Sequence, residues 1–381
     1  MLQPYLDSYN VSFHSLADMM TYHAQQSASS QWERAEITGL HVEPLIDGSP
    51  LYGDLPAFGS DVSEDAVKDT AQNLGLAIRL NGHHYPVRDT AFKSLTDRAK
   101  ISGTVLPKLK RQDLADILNA CLMLQRSAQA LLLIREQKIT AAHSGDEKDY
   151  AVLPIDQLME SLKTKLDERF PGSVFENGYS DHALTSAAWS LPDQREELLG
   201  TYSKTLDAQG KTSLASKLMP GIRFSTSDTG IASAKVAALL LGLRCSIHIG
   251  GMMSTEHRGQ AKVEKFEEGL DMLFAQFEDS VKRLENLTTI YLDYPINAMT
   301  AVCKRLALPK KAALEAIAMF EMAYGDAAAT AHDVFMAMQE IMFILKTGNA
   351  PAGKMLLLEE SMARALTLEW ERYDYAKAVG W

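Results

Sequence analysis

The change of hydrophobic period near residue 260 constrains this chain more than any other feature. Beyond it Val263, Phe266, Leu270, Leu273, Phe274, Phe277, Val281 and Leu284 recur at steps of three and four, the spacing of one face of a long helix. Segments 297–307, 311–323, 326–346 and 353–369 continue in that style, interrupted by Pro295, Pro309, Gly325 and the stretch from Gly348 to Pro351. No segment after about residue 250 reads as a strand. The expected fold is therefore α+β: a mixed or antiparallel sheet with packed helices, followed by an all-helical C-terminal portion. A chain of 381 residues exceeds one ordinary core, and the period change predicts units at 1–259 and 260–381.

Within the first unit the plainest local signal is a hairpin. Leu76–Leu80 and His83–Val87 flank Asn81-Gly82, and the Asn-Gly pair favours a two-residue turn with both residues at positive φ. Helical spacing marks 13–28, a segment from Asp89 or Thr90 to Lys100, 113–126, 155–170 and 192–206. Strands are expected at 37–43, 130–135, 138–143, within 173–190 and within 222–249. Residues 44–62, rich in Pro and Gly, read as an irregular loop.

The longest apolar run, Val236 to Leu243, is far shorter than a membrane span and contains Gly242. The opening Met1 to Asn10 carries Gln3, Pro4, Asp7 and Ser8, which does not read as a secretory leader. Cys121, Cys245 and Cys303 are dispersed and odd in number, so a reduced, cytoplasmic setting is expected. The net charge is −11, which argues against a surface uniformly basic for nucleic acid. Its distribution is uneven: residues 1–87 hold three basic against eleven acidic side chains, and residues 88–138 hold ten against five. The basic segment includes Arg98, Lys100, Lys108, Lys110, Arg111, Arg126, Arg135 and Lys138. It is either a solvated helical face or a face that tracks phosphates.

The nucleotide-binding glycine loops, the zinc-protease helix, the nucleophile elbow and the calcium loop are all absent. Functional residues concentrate instead between Arg223 and Gly259, where polar and glycine residues interrupt strand-like sequence. Cys245, His248 and His257 are metal-ligating types, but a Cys–His pair three apart in a strand points to opposite faces, so no metal or other cofactor is expected. A Ser or Cys nucleophile with His248 or His257 as base has no spacing to support it. Arg223, Arg244 and Arg258, with Ser225, Ser227 and the Gly250-Gly251 backbone, supply donors for phosphate. Trp32, Tyr85, Trp189 and Tyr202 are aromatic residues that stack on bases or fill a core.

Arg223, Ser225, Ser227, Asp228, Gly230, Cys245, Gly250 and His257-Arg258-Gly259 together resemble the phage/plasmid-like proteins of domain of unknown function 932. The segment from Ala141-Ala142-His143 to Tyr150 is similar to another part of that family, and the likeness spans about residues 70–290. Where the family has a Cys-Thr-Asn-Gly run, this chain has Cys245-Ser246-Ile247-His248. The resemblance implies a mobile-element setting without an assigned reaction. Two main readings follow, beside a third in which an unrecognised enzyme uses His257 or Asp228 on a substrate the sequence does not name. One is single-strand nucleic-acid binding or annealing through Arg223, Ser225, Ser227, Arg244, His257 and Arg258 with Lys108, Lys110 and Arg111. The other is a non-catalytic homo-oligomeric assembly protein, built on the 263–284 stripe and on Met319, Met322, Met336, Met338 and Met342. In the first reading Arg223, Ser225 and Ser227 share a strand face, and His257-Arg258 opens the long helix.

Overall fold

Alternating sequence in the first two thirds of the chain forms three antiparallel sheets. In chain order the strands are β1 (Asn10–Phe13), β2 (Gln31–Glu36), β3 (His41–Pro44), β4 (Leu76–Leu80), β5 (His83–Pro86) and β6 (Gln129–Arg135). They continue with β7 (Lys138–Ser144), β8 (Val174–Asp181), β9 (Thr185–Ser190), β10 (Met219–Thr226), β11 (Ala234–Leu241) and β12 (Ile247–Thr255). The large sheet runs β1-β8-β9-β10-β11-β12, and two three-stranded sheets run β2-β6-β7 and β3-β4-β5. The computed structural model describes residues 3–125, 129–145, 150–242, 244–259, 261–325 and 327–381; Arg126 lies outside them. The protein is α+β.

Most elements form where the periodicity places them. Asn81 and Gly82 both take positive φ, 51° and 86°, so the β4–β5 hairpin closes through the predicted two-residue turn. The expected strand at 37–43 is different: Ile37–Gly39 is a 3-10 turn between β2 and β3. Ile37 and Leu40 are both buried and three residues apart, which suits a tight turn and not a strand. The stripe of 263–284 divides at Gln276 into helices Val263–Ala275 and Phe277–Asn286. Strand structure also extends past residue 250, since β12 reaches Thr255 and a two-residue ladder pairs Tyr291–Leu292 with Ala329–Thr330. The C-terminal portion is thus helix-rich, with one short ladder in it.

Apolar packing divides the chain at a different place from the period change. One core joins the large sheet to the C-terminal helices, running from Phe13 and Met19 through Phe224, Phe266 and Phe277 to Phe335 and Trp370. A second core lies between the two small sheets and helices Ala91–Ala99 and Arg111–Met123, centred on Ile78, Leu95, Leu118 and Leu132. The break predicted at 259 falls inside the first core. The sequence signal there is a change of element type, and sheet and helices bury their apolar faces against one another.

Charged side chains bridge the two cores. Arg88 and Lys138 are fully buried and converge on Asp7; Lys138 lies 2.9 Å from its carboxylate and also pairs with Asp69. The Arg88 guanidinium donates to the Leu6 carbonyl at 3.0 Å, which fixes the N-terminal segment against the small sheets. Arg88, Arg135 and Lys138 therefore belong to buried ion pairs, and the surface charge of segment 88–138 is smaller than its composition implies.

Candidate functional site

An open cleft of about 710 Å³ lies at the junction of the two cores. One wall is helix Ala91–Ala99, which presents Lys93, Asp97 and Arg98, with Lys100 at its C-terminal cap. Leu95 and Ala99 bury the opposite face of that helix, so the polar side is directed to solvent. The other wall is the turn Thr229–Ser233 between β10 and β11, together with Glu256, His257 and Arg258 just after β12. In this last triplet Glu256 and Arg258 are exposed and His257 is buried, as alternation requires. His143 and Tyr150 line the cleft between the walls.

Among the described lining residues, four cations (Lys93, Arg98, Lys100, Arg258) face two carboxylates (Asp97, Glu256), a local balance of +2 on a protein of net charge −11. Beneath them is a near-parallel set of rings. His143 and Tyr150 are 3.7 Å apart at 6°, Tyr150 and His257 are 5.5 Å apart at 10°, and Trp32 flanks His143 at 6.1 Å and 27°.

The turn residue Asp228 organises this floor. Its carbonyl accepts from His143 Nε2 at 2.7 Å and from the Tyr150 hydroxyl at 3.1 Å, and its carboxylate accepts from Arg135 at 2.6 Å. Arg135 also donates to Ser30 Oγ at 2.7 Å. Because a carbonyl only accepts, His143 Nε2 carries the proton and Nδ1 is the ring's acceptor. Burial pushes the His143 imidazole down to about 4, so the ring is neutral near pH 7. Burial also lowers His257, whose Nδ1 donates to the Ala151 carbonyl at 3.3 Å. The Tyr150 hydroxyl is raised well above its ordinary range by burial, then by Asp228. Gly230 has φ +74°, and a Cβ there would stand 3.3 Å from His143 Cε1 and 3.8 Å from Nδ1. Glycine thus permits the turn and sets no side chain against that edge of the imidazole.

The residues expected from sequence fall into separate places. His257 and Arg258 are in the cleft. Arg223 and Ser225 share a face of β10, as alternation predicts, but that face meets helix Ala352–Ala363. Arg223 pairs there with Glu359 and donates to Ser246 Oγ at 2.7 Å, and Lys235 pairs with Glu360 at 2.6 Å. The arginine's charge is therefore matched inside the protein. Ser227 lies beyond the end of β10, buried, with its hydroxyl 2.9 Å from Thr229 Oγ1; it shapes the turn. Arg244 lies toward the opposite end of the β10–β11 hairpin, over the Phe343 ring at 5.1 Å and 3.5 Å from Glu340. Lys108 and Lys110 are exposed and Arg111 donates to the Pro107 and Leu109 carbonyls; none of the three lines the cleft.

Gly250 and Gly251 sit where the β11–β12 register shifts between Ala237 and Leu239, so they form a β-bulge and not an anion loop. Trp189 and Tyr202 are core residues, whereas Trp32 joins the ring set. Cys245, His248 and His257 occupy three different surroundings, and no group of three or more His, Cys, Asp or Glu converges to hold a metal among the described residues. Every apolar member of the 263–284 stripe from Phe266 to Leu284 is buried in the chain's own core, as are Met338 and Met342. Met319 and Met322 are exposed. Among the described residues no helix is long and apolar enough to cross a membrane.

Sequence reasoning passed over Lys93 as a site residue. Lys93, Asp97 and Lys100 recur at i, i+4 and i+7, a signal for one polar helical face. Asp228 as the shared acceptor of His143 and Tyr150 has no sequence signal, because its carbonyl does the work. Comparison of the chain with family models, with curated proteins and with solved structures finds no match.

Proposed function

We propose that the protein binds single-stranded nucleic acid along the cleft between its two cores, with Lys93, Arg98, Lys100 and Arg258 on the phosphates. The observation that carries this reading is the +2 balance of the described lining residues on a protein of net charge −11. A protein that repels polyanions over most of its surface holds one where opposing cations face a shared opening. The buried salt bridges elsewhere sharpen the contrast: Arg223, Arg135 and Lys138 are each matched by a carboxylate, whereas among the described lining residues four cations meet two carboxylates, Arg258 lying 3.8 Å from Glu256. The phage/plasmid-like resemblance implies a mobile-element setting and no reaction; cytoplasmic binding or annealing of single strands is the reading proposed for the cleft itself.

The rings fix the floor of the cleft; they are not required to stack on bases. Specificity for sequence is accordingly not part of the proposal, and phosphate contacts dominate it. Binding of a fluorescent oligonucleotide titrated with salt tests the reading. Four phosphate contacts on a single strand predict a slope of log K against log salt of about −2.8. Absence of binding at low salt, or a slope near zero, contradicts it.

A further inference from the structure

The cleft contains more than phosphate ligands. A phosphodiester has acceptors only, so cations satisfy it fully, yet the same opening holds acceptors that a phosphate cannot use. Asp97 and Glu256 are two of them. The third is fixed by the fold. His143 donates Nε2–H to the Asp228 carbonyl at 2.7 Å, which sets the tautomer and leaves Nδ1 as a neutral acceptor. That bond, not the parallel stacking on Tyr150 at 3.7 Å, fixes which edge of the ring faces away from Asp228. Gly230 places no side chain against the Cε1–Nδ1 edge, where a Cβ would press on Cε1 at 3.3 Å.

A neutral, oriented acceptor among phosphate-binding cations calls for a donor that lies beside a phosphate. In a nucleic-acid strand the ribose 2′-hydroxyl meets that description, because it is on the carbon next to the one that carries the 3′-phosphate. It is present at every nucleotide of RNA whatever the base, and DNA lacks it. Base amines are also donors, but they lie a nucleoside's length from the phosphate and vary with sequence. We infer that His143 Nδ1 accepts a hydrogen bond from a ribose 2′-hydroxyl, so that the cleft prefers single-stranded RNA to single-stranded DNA. The inference rests on the nucleic-acid reading of the cleft.

The test compares three labelled strands of equal length on the intact protein: oligouridylate, its 2′-deoxy form and its 2′-fluoro form. The fluoro strand keeps an RNA-like sugar without the donor. One hydrogen bond predicts that the RNA strand binds about 3- to 10-fold more tightly than either. His143→Phe, which retains a flat ring against Tyr150, should bring the RNA-to-DNA affinity ratio to about one. If that variant does not fold, the fluoro strand on the unaltered protein still tests whether a 2′-hydroxyl donor is read, and equal binding overturns the inference. Equal binding of RNA and fluoro strands, or a preference that survives in His143→Phe, overturns this inference and leaves the nucleic-acid reading intact. Failure of all three strands to bind overturns the nucleic-acid reading itself.

Discussion

Asp228 shows how one residue joins local geometry to the site. Its backbone carbonyl holds His143 and Tyr150, and its side chain compensates Arg135, which is only 6% exposed. Asp228→Asn keeps the carbonyl and removes the charge, so a buried guanidinium is left with neutral acceptors only, the new amide oxygen and Ser30 Oγ. Breaking a buried pair by removing one partner costs about 3–5 kcal/mol, and urea unfolding should show a loss of that size. Adding Arg135→Met should recover part of it, because no uncompensated charge then remains. A loss below about 1 kcal/mol in the single variant would mean that the pair is as weak as an exposed one.

At the scale of elements, the decisive contact is helix Ala352–Ala363 against the polar face of β10 and β11. Ile222 and Phe224 point the other way, and Phe224 meets Phe266 edge to face at 6.0 Å. The arginine and serine that interrupt β10 are thus explained by a helix more than a hundred residues later in the chain, which supplies Glu359 and Glu360. Glu359→Gln should lower stability by about 1–3 kcal/mol, as expected when a half-buried charged partner is lost, and leave oligonucleotide affinity unchanged. A fall in affinity without a fall in stability would place Arg223 in the binding surface after all.

This contact also marks what was legible in the sequence. The hairpin at Asn81-Gly82, the helix over 155–169 and the β10–β11–β12 run are local patterns, and the chain folds as they direct. His257-Arg258 was legible as a polar interruption after a strand, and its placement in the cleft follows that signal. Which side of β10 meets solvent was not legible, since alternation separates two faces without saying what covers each. For the same reason the +5 of segment 88–138 misleads: Arg88, Arg135 and Lys138 find carboxylates from distant parts of the chain.

The whole molecule carries its histidines in an unusual way. His23, His143, His248 and His332 are each pushed by burial to about 4; three adjoin the first core and His143 lines the cleft. An unfolded histidine titrates near 6.5, so between pH 6.5 and 4 the unfolded chain binds more protons than the folded one. Stability is therefore complete above pH 6.5 and falls as pH drops through that window, by up to about 1.4 kcal/mol per pH unit for each histidine. Urea midpoints at pH 7.5, 6 and 5 should decline in that order. Midpoints that stay level down to pH 5 would show that these rings already carry protons in the folded state.

The central claim concerns where a polyanion meets an acidic protein, and charge-matched variants test it most directly. Arg98→Gln/Arg258→Gln removes two cations from the cleft, and Lys108→Gln/Lys110→Gln removes two exposed cations outside it. Both pairs change the net charge equally, so long-range attraction weakens equally in each. Measured by fluorescence anisotropy with a single-stranded oligonucleotide, the cleft pair should lose affinity and flatten the salt slope by about 1.4, the share of two phosphate contacts. The outer pair should leave the slope unchanged. Equal effects from the two pairs, or a larger effect from Lys108 and Lys110, would contradict the assignment of the cleft as the binding site.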